Sequence, residues 1–99
     1  MEEGAIKMKV NEYFGGKVKS MGFVNEEGEA TIGLMDIGEY EFATCKKEFM
    51  TIVSGKMTVK LPGEAIWKDF RKNDTFIVEA NEKFNVKLQE QTAYICFYK

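Results

Sequence analysis

The chain of 99 residues has the length of one domain, and a chain of this size buries roughly two thirds of the surface that it exposes when unfolded. Its formal net charge is −2, and the mixing of signs along the sequence argues against electrostatic attraction to nucleic acid or to an anionic membrane. No apolar stretch approaches the ~18 residues of a membrane helix and no signal peptide opens the sequence, so we expect a cytoplasmic protein.

Short strands and turn signals alternate along the chain. Residues 1–9 are charged and predict a loose N-terminal extension, and residues 10–99 predict one domain. Apolar and polar residues alternate in residues 39–44, 56–61 and 84–89, as they do in half-buried strands. The turn signals between such runs are Gly15-Gly16, residues 25–28, residues 36–38, Ser54-Gly55, Pro62-Gly63, Asn73-Asp74 and Asn81-Glu82. This spacing predicts an all-β sandwich or barrel without a convincing helix.

Glu48 and Gly55 flank an apolar run and define the most informative segment. If Glu48 points into a barrel, Met50 and Ile52 point inward too, because successive side chains on a strand alternate. The strand after Gly55 is expected to be the antiparallel neighbour, with alternate residues of 57–61 also facing inward. The alternative is that Glu48 is an exposed strand-end residue or a partner of the two lysines before it.

The chain contains no histidine, and imidazole is the commonest protein ligand for zinc and iron. Cysteine, aspartate and glutamate form no dense cluster either, so we predict no structural or catalytic transition metal and no other cofactor. Cys45 and Cys96 could pair as a disulfide, but two free thiols are the favoured alternative in a protein without an export signal.

Several blocks of sequence resemble known families. Residues 48–59 (EFMTIVSGKMTV) resemble the second half of the first cupin motif, whose metal-binding members carry two histidines upstream of the glutamate; the corresponding positions here lie near Phe42 and Thr44. Residues 11–23 (NEYFGGKVKSMGF) resemble the opening signature of the pyrimidine/purine nucleoside phosphorylase family, which are small metal-free cupins of bacteria. Further blocks that resemble this family follow in the same order at residues 33–44, 48–55 and 93–98.

The resemblance implies a single-domain cupin β-barrel of the RmlC-like jelly-roll type over residues 10–99. It implies phosphorolysis of purine and pyrimidine nucleosides, with inorganic phosphate as co-substrate, to a free base and a pentose 1-phosphate. Two departures stand out: residues 78–80 read Val-Glu-Ala where relatives usually have Val-Pro-Ala, and Phe97 stands where relatives usually have arginine. If that arginine holds phosphate in relatives, another cation must do so here.

Candidate catalytic and phosphate-binding residues follow from this chemistry. Glu48 is the candidate catalytic residue, since a carboxylate can stabilise the positive charge of an oxocarbenium-like transition state or hold ribose hydroxyls. Lys17 and Lys19 lie two apart on a strand and are the candidate phosphate ligands, with a solvated strand face as the alternative. Arg71, the only arginine, is either a phosphate clamp or part of an exposed charged turn.

Four aromatic residues are candidates for stacking on a nucleobase, and each is alternatively part of the core. They are Tyr40, Phe42, Tyr94 and Tyr98. Thr44 is the remaining candidate, either as a hydrogen-bond partner of a sugar or phosphate oxygen or as a partner of its own backbone.

The sequence leaves three functions to compare and indicates one oligomeric state. The first is a nucleoside phosphorylase, a pentosyltransferase; the second is a non-catalytic small-ligand-binding cupin; and the third, a structural interaction module, has no sequence feature in its favour. We expect a homodimer, because small cupins have open sheet edges and broad apolar sheet faces, with Phe49 or Phe97 in the interface.

Overall fold

A computed structural model describes residues 8–99, so most of the predicted N-terminal extension, residues 1–7, lies outside the described residues. The elements in chain order are β1 (Val10–Tyr13), a 3-10 turn (Phe14–Gly16), β2 (Val18–Asn25), β3 (Gly28–Met35), β4 (Gly38–Ala43), β5 (Glu48–Ser54), β6 (Lys56–Lys60), β7 (Trp67–Arg71), β8 (Thr75–Val78), β9 (Lys83–Leu88) and β10 (Thr92–Tyr98). The predicted all-β architecture is confirmed. Within the described residues, no helix has the length and apolarity needed to span a bilayer.

The strands form two antiparallel sheets. The larger sheet has the order β1-β2-β3-β10-β5-β8, and the smaller has the order β4-β9-β6-β7. The turn signals noted in the sequence fall between the strands or at their ends, because glycine, asparagine and aspartate tolerate the backbone angles that turns require.

One sequence-based expectation is wrong: β5 and β6 are not paired with each other. β5 pairs with β10 and β8 in the larger sheet, whereas β6 pairs with β7 and β9 in the smaller. The chain crosses from one sheet to the other at Gly55, where φ is +101° and an added Cβ would lie 2.5 Å from the Thr92 hydroxyl. A single residue between two strands therefore serves here as a corner of the barrel instead of a hairpin turn.

The core lies between the sheets and has the side-chain pattern that the alternation predicts. Met50 and Ile52 of β5 and Met57 and Val59 of β6 are all buried and belong to one hydrophobic cluster. Leu61 is partly buried against the same cluster. The expected inward direction of Met50 and Ile52 is thus confirmed, although β6 belongs to the other sheet.

Candidate active site

A cavity of about 490 Å³ lies between the two sheets, within the range of roughly 300–1,000 Å³ that is typical of small-molecule sites. Its wall is formed by residues of both sheets, on β1 to β5, β9 and β10, and by the 3-10 turn. The lining residues are Tyr13, Phe14, Val18, Ser20, Thr31, Met35, Glu41, Phe42, Ala43, Glu48, Met50, Phe84, Tyr94 and Tyr98.

Glu48 is the half-buried carboxylate of the cavity, at the first position of β5. Burial raises its pKa above the usual range of a glutamate, and the thiol of Cys96, which donates to Oε1 at 3.6 Å, opposes that rise. Burial and the nearby carboxylate in turn raise the pKa of the Cys96 thiol far above its usual value. Cys96 is therefore a neutral hydrogen-bond donor outside the cavity lining, and a protonated thiol is a poor nucleophile.

A pair of hydroxyls lies beside this carboxylate. Tyr98 is directly opposite Glu48 in the β10–β5 ladder, and its hydroxyl is 2.9 Å from the hydroxyl of Thr31 on β3. Burial raises the pKa of Tyr98, so the phenol stays protonated at neutral pH. We refer to Thr31, Tyr98 and Glu48 as the polar strip; it crosses three adjacent strands of the larger sheet.

Tyr94 forms the neighbouring part of the same wall. Burial raises its pKa to about 12, against a smaller opposite effect of the Ser20 hydroxyl. Its hydroxyl occupies the space that a side chain at Gly33 would need, since an added Cβ there would lie 2.6 Å from the phenolic oxygen and 2.7 Å from the carbonyl oxygen of Lys19. Gly33 also lines a depression of about 360 Å³ on the outer face of the sheet, so the wall is one backbone thick at this point.

The opposite wall and the mouth are aromatic. Phe42 of β4 and Phe84 of β9 stack with ring centroids 5.5 Å apart, and Phe14 meets Phe42 edge-on at 5.5 Å. Phe14 also packs on Tyr40 at 5.0 Å. We refer to Phe14, Phe42 and Phe84 as the aromatic end of the cavity.

Phe14 has a backbone conformation that bulky residues rarely adopt. Its φ is +53°, and Gly15 and Gly16 after it are also in the left-handed region, at +67° and +90°. The turn holds the ring at the mouth with 46% of the residue exposed. Sequence reasoning identified the glycine pair as a turn but missed Phe14 as a cavity residue. It also missed Ser20 and Thr31. The alternation of side chains along β2 could have identified Ser20, because it points to the face opposite that of Lys19.

The structure brings some of the predicted site residues together and keeps others apart. Glu48, Phe42, Tyr94 and Tyr98 all line the cavity. Tyr40 lies behind the aromatic end, where its hydroxyl donates to the carbonyl oxygen of Asp36 at 2.7 Å.

Thr44 and the two lysines do not line the cavity. The Thr44 hydroxyl donates to the carbonyl oxygen of Glu79 at 2.6 Å and accepts from the amide of Glu82 at 3.0 Å, so it tethers the loop between β8 and β9. Lys17 is exposed at the end of the turn that carries Phe14. Lys19 lies on the outer face, 3.7 Å from Glu12.

The lining residues of the described chain include no lysine and no arginine. Arg71 lies 3.9 Å from Asp69 at an exposed position. Within residues 8–99, no group of three or more histidine, cysteine, aspartate or glutamate side chains comes together in a way that could hold a metal ion. The cavity therefore offers hydroxyls, one half-buried carboxylate and aromatic rings to a ligand, with Glu41 at its exposed rim.

The sequence is similar to a well-populated protein family. The model of the family described as "Pyrimidine/purine nucleoside phosphorylase" matches residues 8–98. A relative of that name from Psychromonas ingrahamii is 56% identical over 94 residues, covering 95% of this chain and 100% of the relative. Another of that name from Pseudomonas putida (strain GB-1) is 54% identical over 91 residues, covering 92% and 97%.

Solved structures share the fold. A Vibrio parahaemolyticus protein described as of unknown function has a TM-score of 0.88 and 42% identity, covering 95% of this chain and 100% of that one. An RmlC-like cupin from Shewanella frigidimarina has a TM-score of 0.71 and 22% identity, covering 97% of this chain and 88% of that one. The second likeness confirms the expected RmlC-like cupin fold.

Proposed function

The chain belongs to the pyrimidine/purine nucleoside phosphorylase family, and we propose that it converts purine and pyrimidine nucleosides and phosphate to a free base and a pentose 1-phosphate. In class it is a pentosyltransferase. The observation that carries the proposal, beyond the family match, is the half-buried carboxylate of Glu48 inside a cavity of about 490 Å³. This is the size of site that a nucleoside requires.

In the proposed reaction, a phosphate oxygen forms a bond to the anomeric carbon as the bond from that carbon to the base nitrogen breaks. The bonding electron pair leaves with the base, which takes up the proton that the attacking phosphate gives up, and the pentose retains the phosphate. Positive charge develops on the sugar ring during this exchange, and the Glu48 carboxylate opposes it from the cavity wall. A low dielectric around a half-buried carboxylate strengthens that interaction relative to water.

Phosphate requires a cation or converging backbone amides, and the lining residues supply no cation. Lys17 lies at the end of the turn that carries Phe14, immediately before the lining residue Val18. We therefore favour Lys17 over Lys19 as the phosphate ligand. Lys17→Ala should raise KM for phosphate about tenfold, and Lys19→Ala, the matched control on the outer face, should leave it within about twofold. A larger increase in KM for phosphate with Lys19→Ala than with Lys17→Ala would indicate that phosphate binds on the outer face.

The cheapest test of the activity is incubation of the purified protein with uridine or inosine, with and without phosphate. Phosphate-dependent release of the base supports the proposal. Binding without turnover would favour the alternative, a non-catalytic ligand-binding cupin.

Three further properties belong to the proposal. We infer a metal-free enzyme, because no three histidine, cysteine, aspartate or glutamate side chains of residues 8–99 come together as a metal site would need, and activity should survive chelation with EDTA. Loss of activity on chelation, with near-stoichiometric zinc, iron or manganese in the purified protein, would contradict this. We infer a cytoplasmic location, because Cys45 is exposed and Cys96 is buried, with both thiols free.

We infer a homodimer formed through the outer face of the larger sheet. Ile32, Leu34 and Val53 are exposed on this face, and Phe49 and Phe97 are neighbours across β5 and β10. Burial of such an apolar face against a second copy removes it from water, and an identical face is its natural complement in a two-fold assembly.

Leu34→Glu should convert the dimer into an 11.3 kDa monomer in sedimentation equilibrium at micromolar concentration, because it places a charge in the apolar face. Ile66→Glu is the matched control, since Ile66 is exposed in the loop before β7 and outside this face. A wild-type protein that sediments as a monomer would contradict the inference.

A further inference from the structure

The two walls of the cavity differ in chemistry, and we propose that they divide the substrate between them. The aromatic end (Phe14, Phe42 and Phe84) binds the nucleobase, with Phe14 as its stacking residue, and the polar strip (Thr31, Tyr98 and Glu48) binds the pentose. This division rests on the proposed function and extends it to a base site and a sugar site.

The conformation of Phe14 is the first support. A phenylalanine at φ +53° is strained, and backbone strain of this kind persists where the surrounding structure holds a residue for a purpose such as clamping a ligand. The ring gains packing against Tyr40 and Phe42, yet 46% of the residue remains exposed. A ring held for packing alone would be buried more completely. An aromatic surface presented at the mouth of a cavity is suited to a flat ligand.

The polar strip is the second support. Thr31 and Tyr98 each offer a hydroxyl that can donate and accept, and they already contact each other at 2.9 Å. Glu48, opposite Tyr98, adds a carboxylate that only accepts when ionised. Vicinal sugar hydroxyls are donors and acceptors too, so they match this set. A phosphate group does not match it, because the strip has no cation and its carboxylate would repel the anion.

This division also accounts for a broad choice of base. Every nucleobase has a π-face, and stacking on an aromatic ring is therefore tolerant of base identity. The three rings Phe14, Phe42 and Phe84 offer no hydrogen-bonding side chain, and the polar groups nearest to them in sequence, Tyr13 and Glu41, are exposed residues of the cavity lining, where water competes for their hydrogen bonds. The pentose, in contrast, meets defined hydrogen-bond partners and is the part of the substrate that this cavity selects.

The test is calorimetric binding without turnover, using inosine in the absence of phosphate, hypoxanthine, and ribose 1-phosphate. Phe14→Ala should raise the Kd of inosine and hypoxanthine about tenfold and leave that of ribose 1-phosphate within about twofold. Thr31→Val, which keeps the side-chain shape and removes the hydroxyl, should raise the Kd of inosine and ribose 1-phosphate several-fold and leave that of hypoxanthine unchanged. The Kd of inosine and hypoxanthine for Phe14→Leu should lie between the values for wild type and for Phe14→Ala.

The variant Phe14→Gly distinguishes an effect on stability from an effect on ligand binding. Glycine adopts φ +53° without strain, so this variant should be at least as stable to thermal unfolding as Phe14→Ala while binding inosine as weakly. Ile66→Ala, an exposed apolar control outside the cavity, should bind all three ligands as the wild type does.

The outcomes distinguish this division from the activity itself. Wild-type turnover with unchanged inosine binding in Phe14→Ala overturns the division and leaves the phosphorylase proposal in place. Equal loss of inosine and ribose 1-phosphate binding in Phe14→Ala overturns it as well. A wild type that binds inosine in a Phe14-dependent way but never releases base retains the division and overturns the phosphorylase proposal.

Discussion

Replacement of Glu48 by glutamine isolates the charge of the cavity carboxylate from its shape. Glutamine keeps the size of the side chain and can still accept a hydrogen bond from the Cys96 thiol, now 3.6 Å away. A carboxylate ~4 Å from a full positive charge, at an effective dielectric of ~20, interacts with it by about 4 kcal/mol. The sugar ring carries only part of a full charge in the transition state, so we take the electrostatic stabilisation by Glu48 as about 3 kcal/mol. We therefore expect Glu48→Gln to lower kcat roughly a hundredfold.

The same substitution should not weaken the fold. Burial raises the pKa of Glu48 on folding, so the folded state binds the proton more tightly than the unfolded state. By linkage, this group favours the folded state at a pH below its unfolded pKa and loses that advantage as the pH rises through its folded pKa. At neutral pH the ionised carboxylate opposes folding, and Glu48→Gln should unfold at the same temperature as wild type or a higher one.

The assay is initial-rate phosphorolysis of inosine and uridine at saturating phosphate, with thermal unfolding followed on the same samples. Glu39→Gln is the matched control, because Glu39 is exposed on β4 and does not line the cavity. Full kcat in Glu48→Gln would refute the electrostatic role. A fall in kcat that accompanies a large fall in unfolding temperature would refute the reasoning too, since it would assign Glu48 to packing.

Three further outcomes are expected. Cys96→Ala should shift the acid limb of the kcat/KM profile to higher pH, because it removes the thiol donor that lowers the pKa of Glu48; an unshifted limb would mean that another group titrates. Gly55→Ala should cost at least about 1 kcal/mol in urea unfolding and more than Gly63→Ala, which shares a positive φ but has no neighbour within 4 Å; equal costs would show that crowding at the barrel corner is unimportant. The free energy of unfolding of wild type should fall as the pH rises from 10 towards 12, because burial raises the pKa of Tyr94 from 10.0 to about 12 and the unfolded state therefore ionises first. Tyr94→Phe should make the free energy of unfolding less dependent on pH in this range.

Much of the fold could be predicted from local pattern. Strand alternation fixes which side chains share a face, so the inward direction of Met50 and Ile52 was predictable without knowledge of strand pairing. The partner of each strand was not predictable in the same way. Gly55 reads as a hairpin turn in sequence, and only the close approach of Thr92, 37 residues later in the chain, makes it a crossing between sheets.

The candidate site shows the same limit. Glu48, Phe42, Tyr94 and Tyr98 were predicted as site residues, and all four line the cavity. Phe14 was missed because a phenylalanine before two glycines indicates a loop, and its backbone angle is set by contacts that sequence does not display. Lys19 was chosen because of its charge, yet the pleat of β2 directs it to the outer face while Ser20 points inward.

The absence of a side chain at Gly33 makes room for the phenol of Tyr94 in the cavity wall. Any side chain larger than hydrogen at that position must displace the Tyr94 hydroxyl or the β2 backbone. A side chain at position 33 would point inward, as those of Thr31 and Met35 two residues to either side do, so it would change the cavity volume beside Tyr94. Residue 33 is not itself a lining residue, so protein engineering at this position could resize the cavity by moving Tyr94 while every lining residue keeps its identity.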